Sequence, residues 1–73
     1  MNKVYAEKCV FVSLYLNLLV RQIDRDIKRL VYLRNEATET EVVTIHYSDG
    51  NFKSIDVTAD SLKAIITDVM KHI

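Results

Sequence analysis

The side chains in this sequence that could act as catalysts or metal ligands are few and widely spaced. Cys9 is the only cysteine, and it lies in an apolar run, where a thiol is usually an inert core group. Asp60 and Asp68 are interpreted as a helix cap and a solvated helix face, and His46 and His72 as surface histidines. We therefore expect no catalytic residue, no metal site and no cofactor, and predict that the chain is not an enzyme.

One group of side chains could instead contact an anionic polymer. If the chain around residues 21–34 is helical, spacings of three and four place several cations and one aromatic ring on one face. This stripe consists of Arg21, Arg25, Lys28, Arg29 and Tyr32. Such a combination suits a nucleic-acid backbone, but Asp24 and Asp26 interrupt it, and a solvated charged face is the usual explanation. Nucleic-acid binding is kept as the alternative function.

The length and the net charge of the chain limit which classes of protein it can belong to. The 73 residues carry ten basic and ten acidic side chains, so no overall field draws the chain to nucleic acid or to an anionic membrane. A chain of this length forms one domain, and domains so small commonly need disulfides, a metal or oligomerisation. A single cysteine excludes an internal disulfide. Association with a second chain, or exceptionally good helix packing, is therefore the expected source of extra stability.

The most apolar segment is the run CVFVSLYLNLLV over residues 9–20. It has about twelve residues, whereas a membrane-spanning helix needs roughly 20. Charged residues on both sides prevent its extension. We expect a soluble cytoplasmic protein with no membrane partner.

The first element is predicted to be one long helix over residues 4–34, because apolar residues recur every seven positions with a second set three or four residues later. A break near Arg21 is the alternative. A polar linker over residues 35–40 follows, in which Asn35 takes the left-handed conformation that ends a helix.

A β-hairpin over residues 41–57 comes next. A three-residue loop with Gly50 in the left-handed position sorts the apolar side chains onto one face better than a two-residue loop does. The inner face is then Val43, Ile45, Tyr47, Ile55 and Val57. The outer face carries Val42, His46 and Phe52, which we regard as a candidate partner face because sheets accept partners at open surfaces and edges.

The last element is an amphipathic helix over residues 59–72, with Thr58 as its N-cap and Asp60 in its first turn. Its apolar stripe is Leu62, Ile65, Ile66, Val69 and Ile73. The whole chain, residues 1–73, is thus expected to be a small α+β domain of order α-β-β-α.

The first helix has more apolar surface than one core can cover. With about 100° per residue, its core stripe is Leu16, Leu19, Ile23, Ile27 and Leu30. Apolar residues also occupy the opposite side in the first half of the helix, namely Val10, Phe11, Leu14 and Leu18. These four are predicted to form a subunit contact in a homodimer, although coverage by another part of the same chain is the alternative.

The expected function is that of a non-catalytic interaction or regulatory module. Small chains without catalytic residues commonly act as adaptors or as inhibitors of larger assemblies, including phage-borne ones, by occupying a partner's surface. The alternative is a dimeric nucleic-acid-binding regulator that uses the basic stripe. The identity of a protein partner is not encoded in any feature of the sequence.

Overall fold

The computed structural model describes residues 3–73, in which a long N-terminal helix and a short C-terminal helix lie on one face of a sheet. Helix α1 covers residues 3–23 and consists of α-helical Lys3–Val10, π-helical Phe11–Leu16 and α-helical Asn17–Ile23. Helix α2 covers Leu62–Met70. The predicted α+β class is confirmed.

Between the helices lie three antiparallel strands, β1 (Ile27–Asn35), β2 (Thr40–Tyr47) and β3 (Phe52–Asp56), adjacent in that order. The order of elements is therefore α-β-β-β-α, with one strand more than predicted. Both helices pack on the same face of the sheet, so the molecule has two layers around one core.

The prediction of one helix as far as residue 34 is wrong, because the helix ends at Ile23 and the chain then enters β1. Asp24 takes an extended conformation, with φ −132° and ψ 107°. Its Oδ1 atom accepts a hydrogen bond from the backbone N–H of Asp26 at 2.9 Å. This side chain competes with the helical hydrogen bonds and turns the chain into the sheet.

The register predicted for the hairpin of β2 and β3 is confirmed. Val43 lies opposite Ile55, and the backbone N–H of Tyr47 donates to the carbonyl of Asn51 at 2.8 Å. Gly50 has a φ of 92°, which glycine adopts without a clash from Cβ. Of the five side chains predicted for the inner face, four are buried and Tyr47 is half-buried.

The predicted linker over residues 35–40 is instead the tight turn between β1 and β2. Asn35 does not end a helix. Its Oδ1 atom accepts a hydrogen bond from the backbone N–H of Ala37 at 3.0 Å. The left-handed residue is Glu39, with a φ of 55°.

The start of α2 also differs from the prediction, since Ser61 and not Thr58 is the N-cap. The Ser61 hydroxyl accepts a hydrogen bond from the backbone N–H of Ala64 at 3.1 Å. Thr58 donates its hydroxyl to a carboxylate oxygen of Asp56 at 2.6 Å, and Asp60 precedes the helix. Within α2, Ile65 and Val69 are fully buried as predicted, whereas the flanking Leu62 and Ile73 are partly exposed.

The side of α1 that faces the sheet is a row with a spacing of four, formed by Lys8, Val12, Leu16 and Val20. In a regular α-helix such a row drifts around the axis, because four residues make more than one turn. The π-helical segment has i→i+5 hydrogen bonds and turns less per residue, which keeps the row on one side. Leu19 and Ile23, predicted for the core, are 46% and 57% exposed.

A buried carboxylate joins α1 to the sheet and to the loop before α2. One oxygen of Glu41 accepts from the ammonium of Lys8 at 2.8 Å and from the hydroxyl of Tyr32 at 2.6 Å. The other accepts from the backbone N–H of Ala59 at 2.9 Å. Burial alone would raise the pKa of Glu41, but these hydrogen bonds outweigh it and hold that pKa below its usual value. The pKa of Tyr32 is raised, first by burial and then by its bond to Glu41.

Replacing Lys8 with Met is expected to lower the free energy of unfolding by about 3–5 kcal/mol, because Glu41 then stays buried without its cation. Urea unfolding followed by circular dichroism measures the change. The matched control is Lys3→Met, which removes an exposed lysine of the same helix and should cost less than about 0.5 kcal/mol.

The double variant Lys8→Met with Glu41→Gln should recover part of the loss, because no buried charge remains. Equal stability of Lys8→Met and Lys3→Met would show that the Glu41 contact does not hold α1 to the sheet.

Candidate interaction surfaces

The side of α1 that faces away from the sheet is apolar. Val10, Leu14 and Leu18 are 51%, 57% and 59% exposed, so three of the four residues predicted for a subunit contact lie at the surface. Phe11 is half-buried and packs against the core. Whether these residues meet a second subunit stays a prediction.

Three further exposed residues enlarge this surface. Tyr15, Leu19 and Ile23 lie beside the first row, and Tyr15 is 66% exposed. We call the six exposed side chains of this helix the α1 surface: Val10, Leu14, Tyr15, Leu18, Leu19 and Ile23. Soluble monomers seldom expose so many apolar side chains in one contiguous patch, and such patches are typical of interaction sites.

A shallow groove of about 430 Å³ borders the α1 surface, on the side of α2. Its walls are mainly apolar, with Val10, Phe11 and Tyr15 from α1 and Leu62 from α2. The partly exposed Leu62 thus extends the apolar area from one helix to the other.

The second apolar area is the outer face of the sheet, opposite the helices. Phe52 is 66% exposed and lies beside His46 of β2, with 6.1 Å between ring centroids. Val42, half-buried, lies at the other end of β2. The three residues predicted for a partner face therefore share one face, separated by the hydrogen-bonded hydroxyls of Thr44 and Ser54.

Sequence reasoning missed the side chains that β1 contributes to this outer face, Arg29, Val31 and Leu33. Leu33 of β1 pairs with Val42 and is 55% exposed. Because β1 was expected to be helical, Leu33 was not assigned to the sheet. In the structure, buried Leu30 and Tyr32 alternate with more exposed neighbours, as in a strand with one covered face. We call Leu33, Val42, His46 and Phe52 the sheet surface.

The predicted basic stripe is divided by the fold. Arg21, Arg25 and Lys28 line one concavity of about 460 Å³ at the corner between α1 and β1, beside Gln22 and Ser48. Within residues 3–73, none of the three cations forms an ion pair. The three cations are expected to attract anions, and we call the space that they line the basic concavity.

Arg29 and Tyr32 do not join that concavity. Arg29 pairs with His46 in the sheet, and Tyr32 is buried, with its hydroxyl bound to Glu41. The stripe separates because successive strand residues point to opposite faces. Tyr32 cannot stack on a base, which removes the aromatic part of the predicted nucleic-acid site.

Acidic side chains occupy a neighbouring concavity at the same corner. Asp24, Asp26 and Asp49 line a space of about 500 Å³ together with Tyr47 and Ser48. Ser48 also borders the basic concavity. The two signs of charge lie side by side, so the field from this corner falls off faster than that of an unbroken basic patch.

Asp60 and Asp68, interpreted from the sequence as a helix cap and a solvated helix face, form a carboxyl pair beside α2. Their shared hydrogen bond, burial and the charge of Asp68 raise the pKa of Asp60 to about 6. Lys8 lowers this pKa, and Asp56 raises it further. The Oδ2 atom of Asp60 is buried and receives no hydrogen bond from a protein donor in residues 3–73, so ionisation of the pair is costly.

Stability is expected to fall as the pH rises from about 5 to about 7, because the folded chain holds a proton on Asp60 that the unfolded chain has already released. The pKa values are about 6 in the folded state and 3.8 for the unperturbed side chain. Glu41 and Asp56 have lowered pKa values and lose their stabilising effect only at more acidic pH.

The variant Asp60→Asn should abolish this decline and be more stable than the wild type at neutral pH. Urea midpoints measured across the pH range give the slope, and Asp26→Asn, at an exposed acid, is the matched control. An unchanged slope in Asp60→Asn would contradict the assignment.

The other candidate chemical groups stay apart. Cys9 is exposed, so the expectation of a core thiol is wrong. The Nδ1 atom of His72 lies 2.8 Å from the carbonyl oxygen of Asp68 at the end of α2. Within residues 3–73, no three His, Cys, Asp or Glu side chains are grouped to hold a metal ion.

Neither helix within residues 3–73 is long and apolar enough to cross a membrane. No protein-family model matches the sequence, and no similar chain was found among curated proteins or solved structures.

Proposed function

We propose that this chain is a non-catalytic interaction module, an adaptor or inhibitor that acts by occupying the surface of a protein partner. The observation that carries this proposal is that the chain's own core leaves two apolar areas uncovered, the α1 surface and the sheet surface. We further propose that the module is a homodimer through α1 and meets its partner with the sheet surface. Its site of action is the cytoplasm, since a single cysteine offers no disulfide for an oxidising compartment.

The energetics favour coverage of the α1 surface. Complete burial of a Val or Leu side chain contributes about 1.5–3 kcal/mol, so a side chain that is already half-buried has roughly 1 kcal/mol left to gain. Six such side chains lie on the α1 surface. Before the entropic cost of association, their combined gain is comparable to the few kcal/mol of net stability that a domain of this size supplies alone.

The sheet surface suits a protein partner better than a small ligand. It is an open face with exposed apolar side chains at both ends and hydroxyls between them. An exposed aromatic ring such as Phe52 is a common anchor in protein interfaces. The edge strands β1 and β3 also offer backbone groups to a strand of a partner.

Making the sheet surface polar, with Val42→Thr and Phe52→Thr, should abolish capture of the protein partner. The experiment is an affinity pull-down from the native host, with bound proteins quantified by mass spectrometry. The control chain carries Arg25→Glu and Lys28→Glu, two reversals in the basic concavity, and should retain the same protein.

The opposite pattern, with the protein retained by the first variant and lost by the second, would contradict the assignment of the sheet surface. Circular dichroism of both variants checks that they fold.

The second candidate function is that of a dimeric nucleic-acid-binding regulator. The observation in its favour is the basic concavity, where Arg21, Arg25 and Lys28 lie together without acidic partners in residues 3–73. The buried Tyr32 and the adjacent acidic concavity argue against it. We therefore rank it below the protein-interaction module.

If the basic concavity binds nucleic acid, affinity should fall steeply with salt. Three phosphate contacts per chain, six per dimer, predict a slope of about −5.4 in a plot of log K against log salt for duplex DNA. Fluorescence anisotropy with labelled DNA and RNA measures it. The triple charge reversal at Arg21, Arg25 and Lys28 should remove both binding and salt dependence. No binding to either probe at low salt would eliminate this second function.

A further inference from the structure

We propose that the occupant of the α1 surface is a second copy of this chain, packed antiparallel with Leu14 beside the two-fold axis. This inference rests on the proposed function and specifies its dimer. The evidence is a row of residues along the exposed side of α1 whose spacing is the same in both directions. The row is Glu7, Val10, Leu14, Leu18 and Arg21, with steps of three, four, four and three.

Such symmetry is what a two-fold contact requires, because the same patch must complement itself. In an antiparallel pair, Leu14 meets its own copy, Val10 meets Leu18 of the second copy, and Glu7 meets the second copy's Arg21. The apolar residues thus occupy the centre and opposite charges occupy both ends. This order, with an apolar centre and a charged rim, is typical of protein interfaces.

The two charged ends are available for this pairing. Glu7 and Arg21 are both exposed, and neither forms an ion pair within residues 3–73. They are separated by about 21 Å along the helix, at 1.5 Å per residue. The apolar residues between them, from Val10 to Leu18, extend over about 12 Å, a little more than two helical turns.

The side chains on either side of this row determine on which side of it the second helix packs. Phe11, Tyr15 and Leu19 form a parallel apolar row with steps of four, centred on Tyr15. The opposite flank carries Ser13 and Asn17. Apolar side chains along one flank only favour a contact displaced toward Tyr15.

A parallel pair is disfavoured by the same charges. It would place Glu7 against Glu7 and Arg21 against Arg21, with like charges at both ends of the contact. Like charges directly opposite across an interface oppose association. Charge reversal therefore distinguishes the two arrangements.

The test measures the dimer dissociation constant by sedimentation equilibrium for Glu7→Arg, for Arg21→Glu and for the double variant. Each single reversal creates two like-charged contacts per dimer and should weaken the antiparallel dimer by about 10-fold at low salt. The double variant restores opposite charges and should return to within about 3-fold of the wild type. An equimolar mixture of the two single variants should recover as well, as a heterodimer.

Two controls complete the design. Lys63→Glu reverses an exposed charge on α2 and should leave the constant unchanged. Leu14→Glu places a charge beside the axis and should give a monomer with an unchanged circular dichroism spectrum.

The outcomes separate this inference from the proposed function. If the wild type is a dimer and neither single reversal changes its dissociation constant, the antiparallel arrangement is wrong, but the interaction module still stands. If the wild type stays monomeric, a second copy does not cover the α1 surface. Loss of the protein partner in the Val42 and Phe52 variant would still support the sheet surface as the partner's binding site.

Discussion

The contact between Lys8 and Glu41 fixes the arrangement of the whole molecule. A buried carboxylate needs a cation or several hydrogen-bond donors, and Glu41 obtains its donors from α1, from β1 and from the loop before α2. Lys8 must therefore point toward the sheet. The row that contains Lys8 then becomes the inner side of α1, and Val10, Leu14 and Leu18 necessarily lie on the outer side. One polar interaction thus decides which apolar residues remain exposed.

The small size of the chain explains why these residues stay exposed. The described residues have a single core, between one face of the sheet and the two helices. A third layer would be needed to cover the far side of α1, and a fourth to cover the outer face of the sheet. In the antiparallel dimer that we propose, the second copy supplies the third layer. Both sheet surfaces then point away from the contact, so that the dimer could engage two partners at once.

The hairpin and the core side of α2 were predictable because their signals are local. The distribution of apolar residues around Gly50 selects one register, and the spacing of Ile65 and Val69 is that of an amphipathic helix. The strand β1 was not predicted because Ile23, Ile27 and Leu30 also have helical spacing, and the bulge between Ile27 and Arg29 interrupts the alternation typical of a strand.

The candidate surfaces were predicted only in part. Val10, Leu14 and Leu18 follow from an excess of apolar residues over what one core can cover. The π-helical segment, which exposes Leu19, has no recognisable signal in its residue types. The ion pair of Lys8 with Glu41 and the meeting of Asp60 with Asp68 depend on how distant parts of the chain pack, and the division of the basic stripe follows from the misassigned strand.

The most direct test of the central claim, that a second copy covers the α1 surface, is the mass of the wild-type chain in solution. Sedimentation velocity over a concentration series in the micromolar range measures it without any substitution. We expect a species of twice the chain's mass that dissociates on dilution. A single monomeric species at every concentration, with the fold intact by circular dichroism, would contradict the claim.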